Sequence, residues 1–133
     1  MTLVKEIVPV PELGDPGLPF AQCVVAGDFV FIAGQTGIDA QFNVVSLEFG
    51  PQVRRAFENL GIALAAGGSD FEHIVDMTVY LADPRHGREF GEIRKEFMGE
   101  SLCASTMICG VSYILPDLLA EIHVTAIRNA DDE

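Results

Sequence analysis

Positive charge is scarce in this chain. Only eight Lys and Arg stand against 20 Asp and Glu, for a formal net charge of −12. Adjacent Lys or Arg residues occur only as the isolated pairs Arg54-Arg55 and Arg94-Lys95. Proteins that grip nucleic acid or anionic lipid need a clustered basic face to displace counterions from phosphates. Neither nucleic acid nor membrane is therefore expected as a partner. Cysteine is equally sparse. Cys23, Cys103 and Cys109 cannot all pair and lack metal-ligand spacing, and they read as small buried apolar side chains in a reducing compartment. No metal and no cofactor is expected. No apolar stretch approaches bilayer-spanning length. The opening Met-Thr-Leu-Val-Lys-Glu-Ile has no basic segment followed by a long apolar run, so the expectation is a cytoplasmic protein. Repeats, linkers and low-complexity tracts are missing too, and residues 1–133 read as a single domain.

What is present is apolar and periodic. Hydrophobic residues make up 49% of the chain and mean hydropathy is +0.30. That fits either a well-filled α/β core or apolar surface kept for an oligomer interface. Lys5 to Val8 reads as a short strand, followed by a Pro/Gly loop through Pro19. Ala21 to Gln35 reads as a hairpin turning at Gly27-Asp28. Its second strand, Phe29 to Ala33, is apolar at every position, which predicts cover on both faces. Thr36 to Leu47 reads as an irregular connection.

Val53, Ala56, Phe57, Leu60 and Leu64 give one stripe of a helix over 50–66, with Pro51 in its first turn and Gly67-Gly68 ending it. Ser69-Asp-Phe-Glu72 has capping-box spacing. A strand over 74–81 is broken by Asp83-Pro84. A second helix over 84–98 carries the stripe Phe90, Ile93 and Phe97. Two strands, 104–113 and 118–128, close the chain around a turn at Pro116-Asp117. In the last strand Leu118, Ala120, Ile122, Val124 and Ala126 form an apolar face, while Leu119, Glu121, His123, Thr125 and Ile127 form a mixed one. The order β-β-β-α-β-α-β-β is that of an α+β domain: a six-stranded mixed sheet with two helices on one face. The tail 129–133 reads as frayed.

Four segments in this order resemble the RidA (YjgF/UK114) family. They are Leu18-Pro-Phe-Ala-Gln through Ile32-Ala-Gly-Gln35, Gln52-Val-Arg-Arg-Ala-Phe-Glu-Asn-Leu60, Gly68-Ser-Asp-Phe-Glu through Val79-Tyr-Leu81, and Leu115-Pro116 with Ala120-Glu121-Ile122. The resemblance spans nearly the whole chain. It implies the chorismate-mutase-like fold and a homotrimer with small-molecule clefts between neighbouring subunits. It also implies hydrolysis of 2-imino or enamino acids. In such chemistry water attacks a protonated imine and the adduct expels ammonia, while the protein holds the substrate carboxylate and orients the water.

Matched residue by residue, the resemblance divides. Glu121 falls on the family's water-placing Glu and is the candidate catalytic residue. Ser105 falls where the family has its carboxylate-binding Arg. Phe20 replaces a Tyr and Ala33 a Ser. Loss of the guanidinium fork costs about 2–5 kcal/mol of carboxylate binding, so deamination of ordinary 2-imino acids is expected to be weak. Phe20, Ala33, Gly34, Ser105, Met107 and Glu121 are the candidate ligand-binding residues, the last strands forming a more apolar cleft with Thr106 and Cys109. An uncompensated Glu121 favours a neutral or cationic ligand, or one presenting a donor, and Phe20 offers a stacking surface for a planar one. The bland alternatives are interface packing for Phe20, a solvated hydroxyl for Ser105, a core thiol for Cys109 and a structural histidine at a trimer centre for His123. At the level of function, the enzyme reading stands beside a noncatalytic ligand-binding or protein-interaction trimer. Ribonuclease activity is disfavoured by the acidic charge.

Overall fold

The computed structural model describes Val4–Asn129. Strands β1 (Lys5–Val8), β2 (Cys23–Ala26) and β3 (Phe29–Gln35) come first. Helix α1 (Phe49–Ala66), strand β4 (Ile74–Leu81), helix α2 (Gly87–Met98), and strands β5 (Ala104–Cys109) and β6 (Ala120–Ile127) follow. One six-stranded sheet has the order β1-β2-β3-β6-β4-β5. All neighbours are antiparallel except β4 and β5, which run parallel. A parallel pair needs a crossover, and α2 supplies it. The expected α+β architecture is thus present.

The expected stripes are the buried ones. Val53, Ala56, Phe57, Leu60 and Leu64 of α1 are fully buried, as are Phe90 and Ile93 of α2 within about one per cent. Phe57 stacks on Phe97 with centroids 4.9 Å apart, tying the two helices together. From the sheet, Val30, Ile32, Met77, Val79, Leu81, Ile122 and Val124 complete the same core. Both helices therefore cover one face of the sheet.

The other face is open in the single chain. The register aligns Ile7, Val24, Phe31 and Thr125 across four strands, and Ala26, Phe29 and Ile127 across three. Phe29 and Phe31 remain 49% and 44% exposed. The expectation that β3 is covered on both faces is therefore not met within one chain. Alternation places only Val30 and Ile32 against the helices.

Local boundaries also differ. β5 stops at Cys109 rather than continuing to 113. Gly110 has φ +80°, a left-handed conformation that L side chains rarely adopt, and its N–H turns back to the Leu81 carbonyl at 2.9 Å. The last strand begins at Ala120 rather than 118. The turn after α1 is capped by Asp70, which accepts from His73 N at 3.2 Å. Ser69, expected as the cap, instead donates to the Ile127 carbonyl at 2.6 Å. Residues 84–86 form a separate 3-10 turn before α2. Of the cysteines only Cys23 is buried; Cys109, expected in the core, is exposed. The reading of the tail falls outside the described residues, apart from Asn129, which donates to Asp70 Oδ2 at 2.9 Å.

Candidate functional site

Glu121 is set by strand alternation on the face away from the helices, paired with Tyr80 of β4. On its other side β3 is irregular. Ile32 pairs with Val124 and Gln35 with Ile122, so one extra residue is accommodated at Ala33-Gly34. Such bulges re-aim side chains and bring backbones close to a site. Here the bulge lets the Glu121 side chain lie over Gly34. A Cβ at Gly34 would overlap Glu121 Oε2 and fall 2.8 Å from its carboxyl carbon. Gln35, next along, is buried and donates to Gln22 Oε1 at 2.9 Å and to the Ala33 carbonyl at 3.0 Å.

Around this point lies a cleft of about 390 Å³. Phe20, Gly34 and Glu121, three of the expected residues, line it. Ala33 sits in the bulge beside it, half-buried. The other two lie elsewhere. β4 separates β5 from β6, and the parallel register sets Ser105 beside Met77 and Met107 beside Val79, both buried against the helices. Ser105 and Met107 thus occupy the helix side of the exposed edge strand, and so does Cys109. Ser105 Oγ accepts from Arg94 Nη1 at 2.9 Å. Within one chain they do not join Glu121. His123 does share its face and is exposed.

Several wall residues gave no sequence signal. Tyr113 and Ser112 reach the cleft from the loop after β5, and Phe42 from the connection before α1. Phe42 carried one faint sign, its place in a polar turn. Its φ of +65° makes it the non-glycine residue held left-handed among the described residues. Asp39 holds that turn, accepting from the N–H groups of Gln41 and Asn43 at 2.9 and 3.0 Å. Those bonds keep its carboxyl below the ordinary range. Tyr113 donates its hydroxyl to the Tyr80 carbonyl at 2.6 Å, which fixes the phenol beside the Tyr80–Glu121 pair.

The electrostatics follow from this packing. Burial raises the Glu121 carboxyl above its ordinary value, and His123 opposes the rise only in part. Burial, with the Glu121 charge, raises the Tyr113 phenol as well. A carboxyl raised in this way holds its proton more tightly than a free one and, when ionised, can order a water. Among the described residues no Lys, Arg or His lines the cleft. Arg54 pairs with Glu96 at 2.7 Å and Arg85 with Asp83 at 2.6 Å, and neither lines the cleft. Among the described residues no three His, Cys, Asp or Glu side chains converge on a metal position. No helix among them is long and apolar enough to cross a membrane.

A six-stranded mixed sheet with two helices on one face, and a bulged strand seating a carboxylate in a cleft on the other, defines an α+β protein of the L-PSP type. The family described as Endoribonuclease L-PSP matches residues 14–128. A RutC family protein of Pyrococcus horikoshii is 32% identical over 94% of this chain and 99% of its own length. The human 2-iminobutanoate/2-iminopropanoate deaminase is 29% identical over 72% of this chain and 71% of its own. RidA from an Antarctic Psychrobacter superposes with a TM-score of 0.85 at 20% identity, covering 92% of this chain and 98% of that one. The chain belongs to the RidA (YjgF/UK114) family. Its relatives include imine deaminases.

Proposed function

We propose that this protein is a divergent, cytoplasmic RidA-family homotrimer that binds a small planar molecule in its clefts and hydrolyses an imine or enamine there. The carrying observation is the Glu121 carboxylate seated over Gly34 in a cleft lined, among the described residues, by no cationic side chain. Glu121 is the group that orients water and accepts or returns a proton, with Phe20 and the Gly34 backbone holding the ligand. Two exposed phenylalanines on the uncovered sheet face support the trimer, because so large an apolar surface is rarely left to water. Ser105 and Met107 join a site only if a neighbouring copy contributes them.

Without a guanidinium for the substrate carboxylate, ordinary 2-imino acids are poor substrates. Ammonia release from freshly generated 2-aminoacrylate tests this, measured beside an uncharged N-unsubstituted ketimine. The expected result is turnover of the ketimine and a slow reaction with 2-aminoacrylate. A kcat/KM for 2-aminoacrylate of about 10⁴ M⁻¹s⁻¹ or more, ordinary for an enzyme, refutes the loss of that chemistry. Silence with both substrates supports the second reading, a noncatalytic binding trimer.

A further inference from the structure

Most side-chain hydrogen bonds described within the cleft use up donors. The Tyr113 hydroxyl gives its proton to the Tyr80 carbonyl. The Gln35 amide gives both of its described bonds inward, to Gln22 Oε1 and the Ala33 carbonyl. Glu121 carries the cleft's one carboxylate, and what acts on it is burial and the charge of His123 rather than any hydrogen bond. Among the described residues neither of its oxygens has a side-chain hydrogen bond, so its accepting capacity is left for a ligand. Aromatic rings line the same space: Phe20, half exposed, Phe42 in its left-handed turn, and Tyr113. The surplus is in acceptors, negative charge and π faces.

We propose that the cleft selects a planar nitrogen cation of the amidinium or guanidinium class, with its N–H groups on Glu121 and its face on an aromatic ring. The proposal rests on the reading of this cleft as the ligand site and names what that site prefers. A carboxylate and a ring face together are the usual complement of such cations. A carboxylate ligand meets Glu121 with no positive group among the lining residues to offset the repulsion. A net charge of −12 over the chain raises the local concentration of cations and lowers that of anions. A ligand cation also favours the ionised form of Glu121, which burial alone disfavours.

Three near-isosteric probes separate charge from shape: benzamidine, benzamide and benzoate, titrated calorimetrically into the intact protein near neutral pH. Benzamidine is expected to bind at least about tenfold more tightly than benzamide, and benzoate not at all. Glu121→Gln is expected to weaken benzamidine by about tenfold or more while leaving benzamide within about twofold. On the unmodified protein, benzamidine affinity is expected to fall as pH drops toward about 4, where the probe stays charged and Glu121 does not. Benzoate binding as tightly as benzamidine overturns the proposal, as does a pH-independent benzamidine affinity or silence from all three probes. Failure of the hydrolase reading is distinguishable. In that case benzamidine binds and the ketimine is not turned over. If only the cation preference fails, the ketimine is turned over and benzamide binds no worse than benzamidine.

Discussion

Gly34 lies directly beneath the carboxylate of Glu121, so closely that no side chain fits between them. Gly34→Ala sets two effects against each other. Removing a glycine lowers unfolded-chain entropy and is worth about 0.4–1 kcal/mol where the backbone tolerates it. The new methyl forces Glu121 aside, but what it meets is a side chain free to rotate, not backbone. Stability is therefore expected to change by less than about 1 kcal/mol, while ligand affinity falls by about tenfold or more. Calorimetric unfolding and benzamidine titration on the same variant check this. An unchanged affinity means that the position of Glu121 does not matter.

Glu121 also carries a pH signature. Its folded carboxyl is raised by burial, so the folded protein holds that proton more tightly than the unfolded chain. Its stabilising contribution is fully present below the unfolded value of about 4.3. That contribution is lost as pH rises through the folded value. Glu121→Gln is accordingly expected to unfold at a higher temperature than the native protein at neutral pH and at the same temperature below about pH 4. A variant less stable at neutral pH would show that the ionised carboxylate has a favourable partner.

Gln52 braces the chain just before β6, two residues ahead of Glu121. It is fully buried, accepts from Leu119 N at 2.6 Å, and donates to the Ser46 and Asp117 carbonyls at 3.0 and 3.1 Å. Gln52→Leu keeps the volume and leaves three backbone groups unpaired. A loss of about 2–4 kcal/mol is expected from the desolvation penalty of unmade bonds. Chemical denaturation measures it, and a loss under about 1 kcal/mol would mean that water replaces the amide.

The open sheet face gives the fourth prediction. In Phe31→Glu a charge replaces a half-exposed ring in the Ile7–Val24–Phe31–Thr125 row. Light scattering is expected to show a trimer for the native chain and a monomer for the variant. A native monomer at micromolar concentration removes the trimer and any site that a neighbouring copy completes.

Periodicity made the helices and the faces of β6 legible. Val53, Phe57, Leu60 and Leu64 repeat as only a helix buries them, and Glu121 had to oppose Ile122. The facing of β5 was not legible, because a parallel register is set by distant pairing with β4 and not by local pattern. The resemblance groups Ser105 and Met107 with Glu121, whereas the register with β4 sets them on the helix side. Asp70 and Ser69 are both good caps, and only the approach of Ile127 decides which of them turns inward. Tyr113 reads as the end of a strand over 104–113, and only its anchor on Tyr80, 33 residues away, turns it into the cleft.

The cleft takes Gly34, Gln35 and Glu121 from the sheet, and one of its loop walls is the 112–115 segment, pinned at Tyr113. The two parts stand under unequal constraint. Gly34 and Glu121 are held by the bulge and by pairing with β4 and cannot change without moving the carboxylate. Ser112 and Ile114 meet neither core nor ladder, and Ile114 is almost wholly exposed. Ligand preference is therefore open to drift at those two positions with the scaffold held fixed, and a randomised library confined to them samples new specificities without sampling unfolded proteins.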